Sequence, residues 1–254
     1  SMTLFWIIGT CLIAGFISFI LAIIFANKVS KTTTNNMVSL AIGTLLGAVF
    51  LEILPHALEL SQDHHNIMFA VLIGILSFFI LEKLLIWRHC HGNHCEAHAV
   101  GTQISKDKKG SLIFVGDLFH NFVDGILITS AFLVNINLGL VTALAIIAHE
   151  IPQEMGNVSI LLHSGYSKLQ AIYFNLIASV ATLGGAVLSY FILESFQDLI
   201  PYILAIAASS MLYISVSDLM PGLHEKTELS DSSLQVSLIS IGVLIIFIIH
   251  QYLH

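Results

Sequence analysis

The sequence predicts an all-α, polytopic membrane protein with eight transmembrane helices. Hydrophobic residues make up 56% of the 254 residues and charged residues only 10%, whereas soluble domains carry roughly 25% charged residues. The apolar residues are grouped into stretches of the length that crosses a bilayer, about 20 residues. These observations exclude a soluble domain and indicate one membrane-embedded domain over residues 1–254.

The eight stretches follow one another with short connections, except after the third. The first is too long for the apolar core of a signal peptide, so we expect it to be retained as a span. In chain order, the predicted spans are roughly residues 4–26, 37–60, 67–88, 111–134, 138–163, 169–195, 199–222 and 233–252.

The basic residues divide the connections into two classes. All nine Lys and Arg residues lie where the chain faces one side, and the connections near 61–66, 135–137 and 196–198 contain none. Because cytoplasmic loops are enriched in Lys and Arg, this pattern predicts eight spans with both termini extracytoplasmic. The basic residues are Lys28, Lys31, Lys83, Arg88, Lys106, Lys108, Lys109, Lys168 and Lys226.

Two spans share a pattern that suggests an internal repeat. Residues 52–59 of the second span read Glu-Ile-Leu-Pro-His-Ala-Leu-Glu, and residues 218–225 of the seventh read Asp-Leu-Met-Pro-Gly-Leu-His-Glu. The two spans run in opposite directions. An inverted repeat, with spans 1–3 mirrored by spans 6–8 around a central pair, would explain the pattern. Chance similarity between two apolar helices would explain it as well.

Side chains that bind metals interrupt the apolar pattern of the fourth and fifth spans. They are His120, Asn121 and Asp124 in the fourth span and His149, Glu150 and Gln153 in the fifth. Residues four apart lie on one face of a helix. At about 1.5 Å rise per residue, His120 lies about 14 Å and His149 about 16 Å from the starts of their spans. Both are therefore near the middle of the bilayer, where ionisable groups are costly and usually functional.

Imidazole suits zinc, copper, iron and nickel, and the carboxylate widens the range toward manganese. The sequence thus predicts a metal site between the fourth and fifth spans. A polar cluster that only fixes helix contacts is the alternative. The order His149-Glu150-x-x-Gln153 is also close to the zinc-protease signature H-E-x-x-H. In this chain Gln153 replaces the second histidine and Pro152 interrupts the helix, so a membrane-embedded zinc hydrolase is a competing hypothesis.

A Cys/His-rich segment follows the third span. Residues 89–98 read His-Cys-His-Gly-Asn-His-Cys-Glu-Ala-His, and tracts of this composition usually bind metal. The spacing fits no zinc finger. We expect a cytoplasmic loop at about 89–110 that catches or senses metal, either for transport or in a receptor without transport; a disordered linker is the alternative. The sequence contains no P-loop, so coupling to ATP is not indicated.

The motifs resemble those of the Zrt-/Irt-like (ZIP) family of divalent metal transporters. The similarity lies in Gly116-Asp117, in the segment 120–125 (His-Asn-Phe-Val-Asp-Gly) and in the segment 149–154 (His-Glu-Ile-Pro-Gln-Glu). The resemblance implies one metal among His120, Asp124, His149 and Gln153, and a second among Asn121, Asp124, Glu150 and Gln153. This sequence departs from the family pattern at Gln153, where His or Glu is usual. We therefore expect one well-occupied metal and a weaker second one.

The resemblance also implies the function and the surroundings. It implies transport of Zn²⁺, and possible transport of Fe²⁺, Mn²⁺ or Cd²⁺, toward the cytoplasm, by a homodimer in the inner or plasma membrane, with no enzymatic reaction and no nucleic-acid partner. Asn175 is either a further ligand or an interhelical hydrogen-bond donor. Ligands that pass the ion on at the inner end are expected at His163, His224 and Glu225.

Overall fold

The computed structural model describes residues 2–25, 31–90, 106–163, 165–223 and 229–253, and within these ranges the chain is helical and contains no β-strand. The α-helices are α1 (Met2–Phe25), α2 (Lys31–Ala48), α3 (Leu54–Leu60), α4 (His64–Cys90), α5 (Lys106–Val134), α6 (Ile136–His163), α7 (Lys168–Leu193), α8 (Ile200–Tyr213), α9 (Met220–Leu223) and α10 (Leu229–Leu253). A short 3₁₀ helix, Gln197–Leu199, precedes α8.

Eight segments of the described chain are long and apolar enough to cross a membrane. They are Met2–Ile24, Asn35–Leu60, His64–Leu81, Asp117–Val134, Ile136–Met155, Lys168–Leu193, Gln197–Ser217 and Asp231–Tyr252. Each lies within or overlaps one predicted span, so the prediction of an all-α protein with eight transmembrane helices is confirmed.

The second and seventh spans each contain a turn of π-helix just before a proline. Val49–Ile53 separates α2 from α3, and Ile214–Leu219 separates α8 from α9. Pro55 and Pro221 follow these turns. Proline cannot donate a backbone hydrogen bond to the carbonyl four residues earlier, so the helix is locally rewound there. The 3+2+3 arrangement remains a prediction, although both of its similar segments carry this feature.

The helices form two groups that meet along one seam. In the first group, α5 packs along α7, and α1 packs against both α6 and α7. In the second, α2 packs along α10 and α4 packs along α8. The seam between the groups is formed mainly by α2 and α6. The predicted metal-binding spans, α5 and α6, therefore both belong to the first group, and α6 also faces the second.

Helices α5 and α7 approach each other closely. A Cβ atom on Gly125 would overlap the carbonyl oxygen of Thr182, and one on Gly185 would overlap the carbonyl oxygen of Phe122. Small residues allow the backbones of membrane helices to approach closely. This contact therefore depends on glycine at both positions, and it fixes the helix that carries His120 and Asp124.

Helices α5 and α6 form a hairpin joined by a single residue. Asn135 donates its backbone N–H to the carbonyl of Ala131, at 3.2 Å, and thereby closes the last turn of α5. Its side-chain oxygen accepts the backbone N–H of Leu138, at 2.7 Å, in the first turn of α6. An Asn side chain in this position satisfies one of the unpaired N–H groups at a helix start. The tight connection makes the two helices antiparallel neighbours.

The outer surface of the helices is apolar, as a lipid bilayer requires. Phe16, Phe69 and Phe191 are 65%, 60% and 60% exposed. By contrast, Ile128 and Leu204 lie in the interior and are fully buried. Large exposed apolar side chains along spanning helices match the chemistry of lipid tails.

Some of the predicted features lie outside the described residues. Among them are His224 and Glu225 and residues 91–105 of the Cys/His-rich loop. His163 ends α6, but the description does not extend to its side chain.

Candidate metal centre

Three ligand atoms meet between α5 and α6. His120 and Asp124 are one turn apart on α5, and His149 reaches them from α6. The Nε2 atoms of His120 and His149 are 3.0 Å apart. Asp124 Oδ2 lies 3.3 Å from His120 Nε2 and 3.5 Å from His149 Nε2. Among the described residues, this is the group of three or more His, Cys, Asp or Glu side chains that is compact enough to hold a metal ion.

The separations of the three atoms match a zinc ion. Zinc binds imidazole nitrogen at about 2.0–2.1 Å and carboxylate oxygen at about 2.0–2.2 Å, so tetrahedral ligand atoms lie about 3.3–3.5 Å apart. The observed 3.0, 3.3 and 3.5 Å are close to these values. A tetrahedral ion would therefore require only small side-chain adjustments.

The carboxylate oxygen in this triangle also favours a cation. Asp124 is 1% exposed, and its Oδ2 atom accepts no hydrogen bond within the part of the chain that the structure describes. A buried carboxylate oxygen without a donor is unfavourable by roughly 1–3 kcal/mol or more. A bound cation would remove this cost.

The ring of His149 is held in the orientation that a ligand needs. Its Nδ1 atom lies 3.3 Å from the carbonyl oxygen of Ala145, one turn earlier on α6. A carbonyl oxygen can only accept a hydrogen bond, so Nδ1 is the donor in this contact. In the tautomer protonated at Nδ1 alone, Nε2, which faces Asp124 and His120, has the lone pair that a metal needs. Such a contact fixes the tautomer of a histidine ligand.

The triangle is enclosed on one side and accessible on the other. His149 is 1% exposed, whereas the side chain of His120 is 19% exposed. Three protein ligands leave a fourth position of a tetrahedral ion for water or another group. The arrangement therefore suits an ion that arrives and leaves.

A second polar cluster forms around Asp117, one turn before His120 on α5. Asp117 Oδ1 accepts hydrogen bonds from Asn157 Nδ2 at 3.0 Å and from Gln153 Nε2 at 3.3 Å, both on α6. Asn121 Nδ2 donates to the backbone oxygen of Asp117 at 3.0 Å and to its Oδ1 atom at 3.3 Å. Three amide groups thus converge on one buried carboxylate.

This cluster fixes the positions of two predicted ligands. The amide of Gln153 is held by Asp117, and the side chain of Asn121 also accepts a hydrogen bond from Thr182 Oγ1, on α7, at 2.9 Å. Asn121 therefore links α5 to α7. A second metal bound through Asn121 and Gln153 would compete with these hydrogen bonds.

Glu150 and Asn175, the remaining predicted ligands with described side chains, lie toward α1. Glu150 is 7% exposed and lies at a narrow, mostly apolar crevice between α1 and α6. Asn175 Nδ2 donates to Ser18 Oγ at 3.1 Å. Glu154 lies beside both Asn175 and Ser18. The structure therefore brings Asn175 to Glu154 and α1.

Asp117, Glu154 and Ser18 were not predicted as site residues. Asp117 and Glu154 belong to the quoted motifs and are acidic residues inside apolar runs. That position could have identified them as site residues. Ser18 had none, because a single serine in an apolar span is common.

Comparison with known proteins gives consistent matches along the chain. The family model described as ZIP Zinc transporter matches residues 2–111 and 87–250. Zinc transporter ZIP13 of Pongo abelii is 29% identical over 224 residues, which cover 82% of this chain and 64% of that protein. An uncharacterized zinc transporter of Schizosaccharomyces pombe is 28% identical over 283 residues, covering 84% of this chain and 62% of that protein. Zinc transporter ZIP4 of Homo sapiens is 26% identical over 275 residues, with 84% of this chain and 42% of that protein covered. The chain thus spans less than two thirds of the length of each of these three relatives.

Proposed function

The chain belongs to the ZIP zinc transporter family, and on that basis we propose that it transports divalent metal cations, with Zn²⁺ as the substrate, across a membrane. The observation that carries the proposal is the compact triangle of His120, Asp124 and His149 inside two membrane-spanning helices. Neutral imidazoles and one carboxylate are ligands that zinc prefers.

The proposed role of the triangle is transient binding near the middle of the membrane. A Zn²⁺ ion that enters the membrane interior loses most of its water shell, and this loss costs free energy. Direct coordination by the two Nε2 atoms and Asp124 Oδ2 would offset that cost. Because only three protein ligands converge, the ion retains a position for water. An incomplete protein shell lowers the barrier to release.

The proposed direction is from the extracytoplasmic side to the cytoplasm. The family resemblance supports this direction. The basic connections support an orientation with both termini extracytoplasmic and the Cys/His-rich loop in the cytoplasm. His163, His224 and Glu225 are proposed to receive the ion at the inner end.

We further propose a single transporter domain over residues 1–254, a homodimer, and a position in the inner or plasma membrane. Fe²⁺, Mn²⁺ and Cd²⁺ are proposed competing substrates.

The proposed role of zinc is that of cargo and not of a catalytic ion. A membrane hydrolase would need zinc to activate water next to a general base such as Glu150. It would also need access for its substrate from one face only. The relatives are named as zinc transporters, which favours transport.

Uptake of radiolabelled zinc into proteoliposomes tests the function. We expect His120→Ala and His149→Ala each to lower uptake to the background of empty vesicles, because each removes one of three ligands. His65→Ala makes the same change at an exposed histidine at the start of α4 and should retain most of the uptake. Near-normal uptake by both centre variants, at equal protein content, would contradict the assignment of the triangle as the transport site.

A further inference from the structure

The last helix, α10, lies directly against the second span. A Cβ atom on Gly43 would overlap the carbonyl oxygen of Ile239, and one on Gly47 would lie 3.0 Å from Cβ of Ile246. Because the residue numbers rise together in the two pairs, α2 and α10 run parallel. The second span continues beyond α2 into the π-helical turn Val49–Ile53, and α10 packs against this turn as well.

A buried carboxylate in the π-helical turn is bound by a histidine of α10. Glu52 is 1% exposed, and its Oε1 atom lies 2.6 Å from Nδ1 of His250. An ionised carboxylate can only accept a hydrogen bond, so Nδ1 is the donor in this contact. A carboxylate inside a spanning segment is unfavourable unless another group compensates its charge. His250 supplies that group from the last helix of the chain.

A second histidine lies on the other side of the same turn. Nδ1 of His56, in α3, is 2.8 Å from the backbone carbonyl oxygen of Glu52 and 3.8 Å from its Oε2 atom. The side chain of His56 is 12% exposed, whereas that of His250 is 32% exposed. The ring of His250 can therefore exchange protons with water more readily than that of His56.

Few other titratable groups lie on the elements that pack around this contact. Besides α10, the π-helical turn packs against α2, α3, α6 and α8. Residues 36–48 of α2 and 136–148 of α6 contain no titratable side chain, and the next one along α6 is His149 of the metal centre. The others at this end of the described helices are Glu59, Tyr202, Tyr213 and Tyr252. Histidine is the side chain whose charge normally changes between pH 5 and 8, so His56 and His250 are the groups here that can respond in that range.

We propose that Glu52 and His250 form a pH-sensitive clasp that ties the last span to the π-helical turn of the second span. A charged imidazole joins opposite charges where water is largely excluded, and such hydrogen bonds are stronger than neutral ones. A neutral imidazole keeps the hydrogen bond but loses the charge. The clasp is therefore strongest at the acidic end of this range and weakens as the pH rises. Its turn also packs against α6, the helix that carries His149.

Thermal unfolding of the purified full chain at about pH 5.5 and about pH 8, on either side of the usual titration of histidine, tests the clasp. His250→Asn keeps an N–H donor near the position of Nδ1 but cannot become charged. We expect the melting temperature of the wild type to fall between the two pH values by about 2–4 °C more than that of His250→Asn. His65→Asn makes the same change at an exposed histidine at the start of α4 and should keep the wild-type response. Equal responses of the wild type and His250→Asn would overturn the proposal.

A double substitution separates the pair from its neighbours. Glu52→Gln removes the charge of the carboxylate and should reduce the pH response as much as His250→Asn does. The double variant should show no further reduction, because either change alone already removes the charge pair. Additive reductions, or a response that disappears in His56→Asn and persists in His250→Asn, would also overturn the proposal. Unfolding is measured without added metal, so the result does not depend on whether the chain transports zinc.

Discussion

We propose that Gln153 sets the number of zinc ions that the candidate centre holds. Its amide nitrogen donates to Asp117 Oδ1 at 3.3 Å, and its oxygen is a weak ligand compared with a carboxylate or an imidazole. The triangle of His120, Asp124 and His149 does not need Gln153 to complete it. The wild type should therefore bind one zinc ion tightly and a second zinc ion weakly or not at all.

We predict that Gln153→His and Gln153→Glu both tighten zinc binding, and that the histidine variant gains more. Histidine can still donate an N–H to Asp117 and offer its other nitrogen to zinc. Glutamate places a second carboxylate next to Asp117, which is favourable only with a cation between them. A gain of about tenfold in affinity corresponds to about 1.4 kcal/mol. Isothermal titration measures it.

Gln62→His is the matched control for this prediction, since Gln62 is exposed in the connection between α3 and α4. It should not change zinc affinity at the tight site. If the wild type binds two zinc ions equally tightly and neither Gln153 variant changes this, then Gln153 does not act on the bound ion.

The sequence was sufficient to predict that His120 and Asp124 share one helix face, but not the contacts around them. His120 and Asp124 are four apart in an apolar helix, and that spacing alone predicts a shared face. The contact of His149 with these two residues depends on how α5 and α6 pack. The sequence indicates only that His120 and His149 lie at similar depths in the membrane. Asp117 also lies in an apolar run, but its part in holding three amides depends on the facing positions of α6, and a single sequence does not specify those.

At the scale of helices, the contact between α5 and α7 decides how firmly the ligands of α5 are held. Gly125 and Gly185 allow the two backbones to touch, and Thr182 of α7 donates to Asn121 in the same region. An added methyl group at this contact would force the helices apart, because backbone atoms cannot rotate away as a long side chain can.

We predict that Gly185→Ala lowers the stability of the folded protein by about 1–3 kcal/mol, and that zinc affinity falls with it. The adjacent Gly184 gives a matched control, because a Cβ atom at that position would meet no atom within 4 Å. Alanine is favoured over glycine inside helices by roughly 0.8–1.0 kcal/mol, so Gly184→Ala should keep or raise stability. Thermal unfolding followed by size-exclusion chromatography compares the two, and equal melting temperatures would contradict the proposed contact.

Helix number and type could be predicted well, because a span of about 20 apolar residues has few alternatives in a membrane. Details within the spans could not be predicted as well. Pro55 and Pro221 indicated disturbed helices, but the sequence does not determine that the disturbance takes the form of π-helical turns. Pro152 was expected to interrupt the fifth span, and α6 instead continues as helix on both sides of it.

For the whole molecule, the distribution of basic residues makes a prediction about orientation that labelling can test. In a background with Cys11, Cys90 and Cys95 replaced by serine, Asp63→Cys should react with a membrane-impermeant maleimide in intact cells. Lys168→Cys should react only after permeabilisation, since it lies on the side rich in Lys and Arg. Both positions are exposed, so accessibility of the side chain does not limit the reaction. The opposite labelling pattern would reverse the proposed orientation.

We also predict that the Cys/His-rich loop adjusts transport but is not required for it. Replacement of His89, His91, His94 and His98 by serine should weaken zinc binding at the cytoplasmic face and leave substantial uptake in proteoliposomes. The centre in α5 and α6 lies outside this loop, so its three ligands remain. Complete loss of uptake with normal folding would mean that the loop belongs to the path of the ion.

The single-residue connection at Asn135 has a consequence for how the protein is made. All three ligands of the triangle belong to one hairpin, and only 29 residues separate His120 from His149. The chain-closure entropy of so short a separation is small. The ribosome releases α5 and α6 in succession, and the pair can associate while α7 is still being synthesised. The ligand triangle can therefore assemble during membrane insertion, before the helices that later enclose it are present.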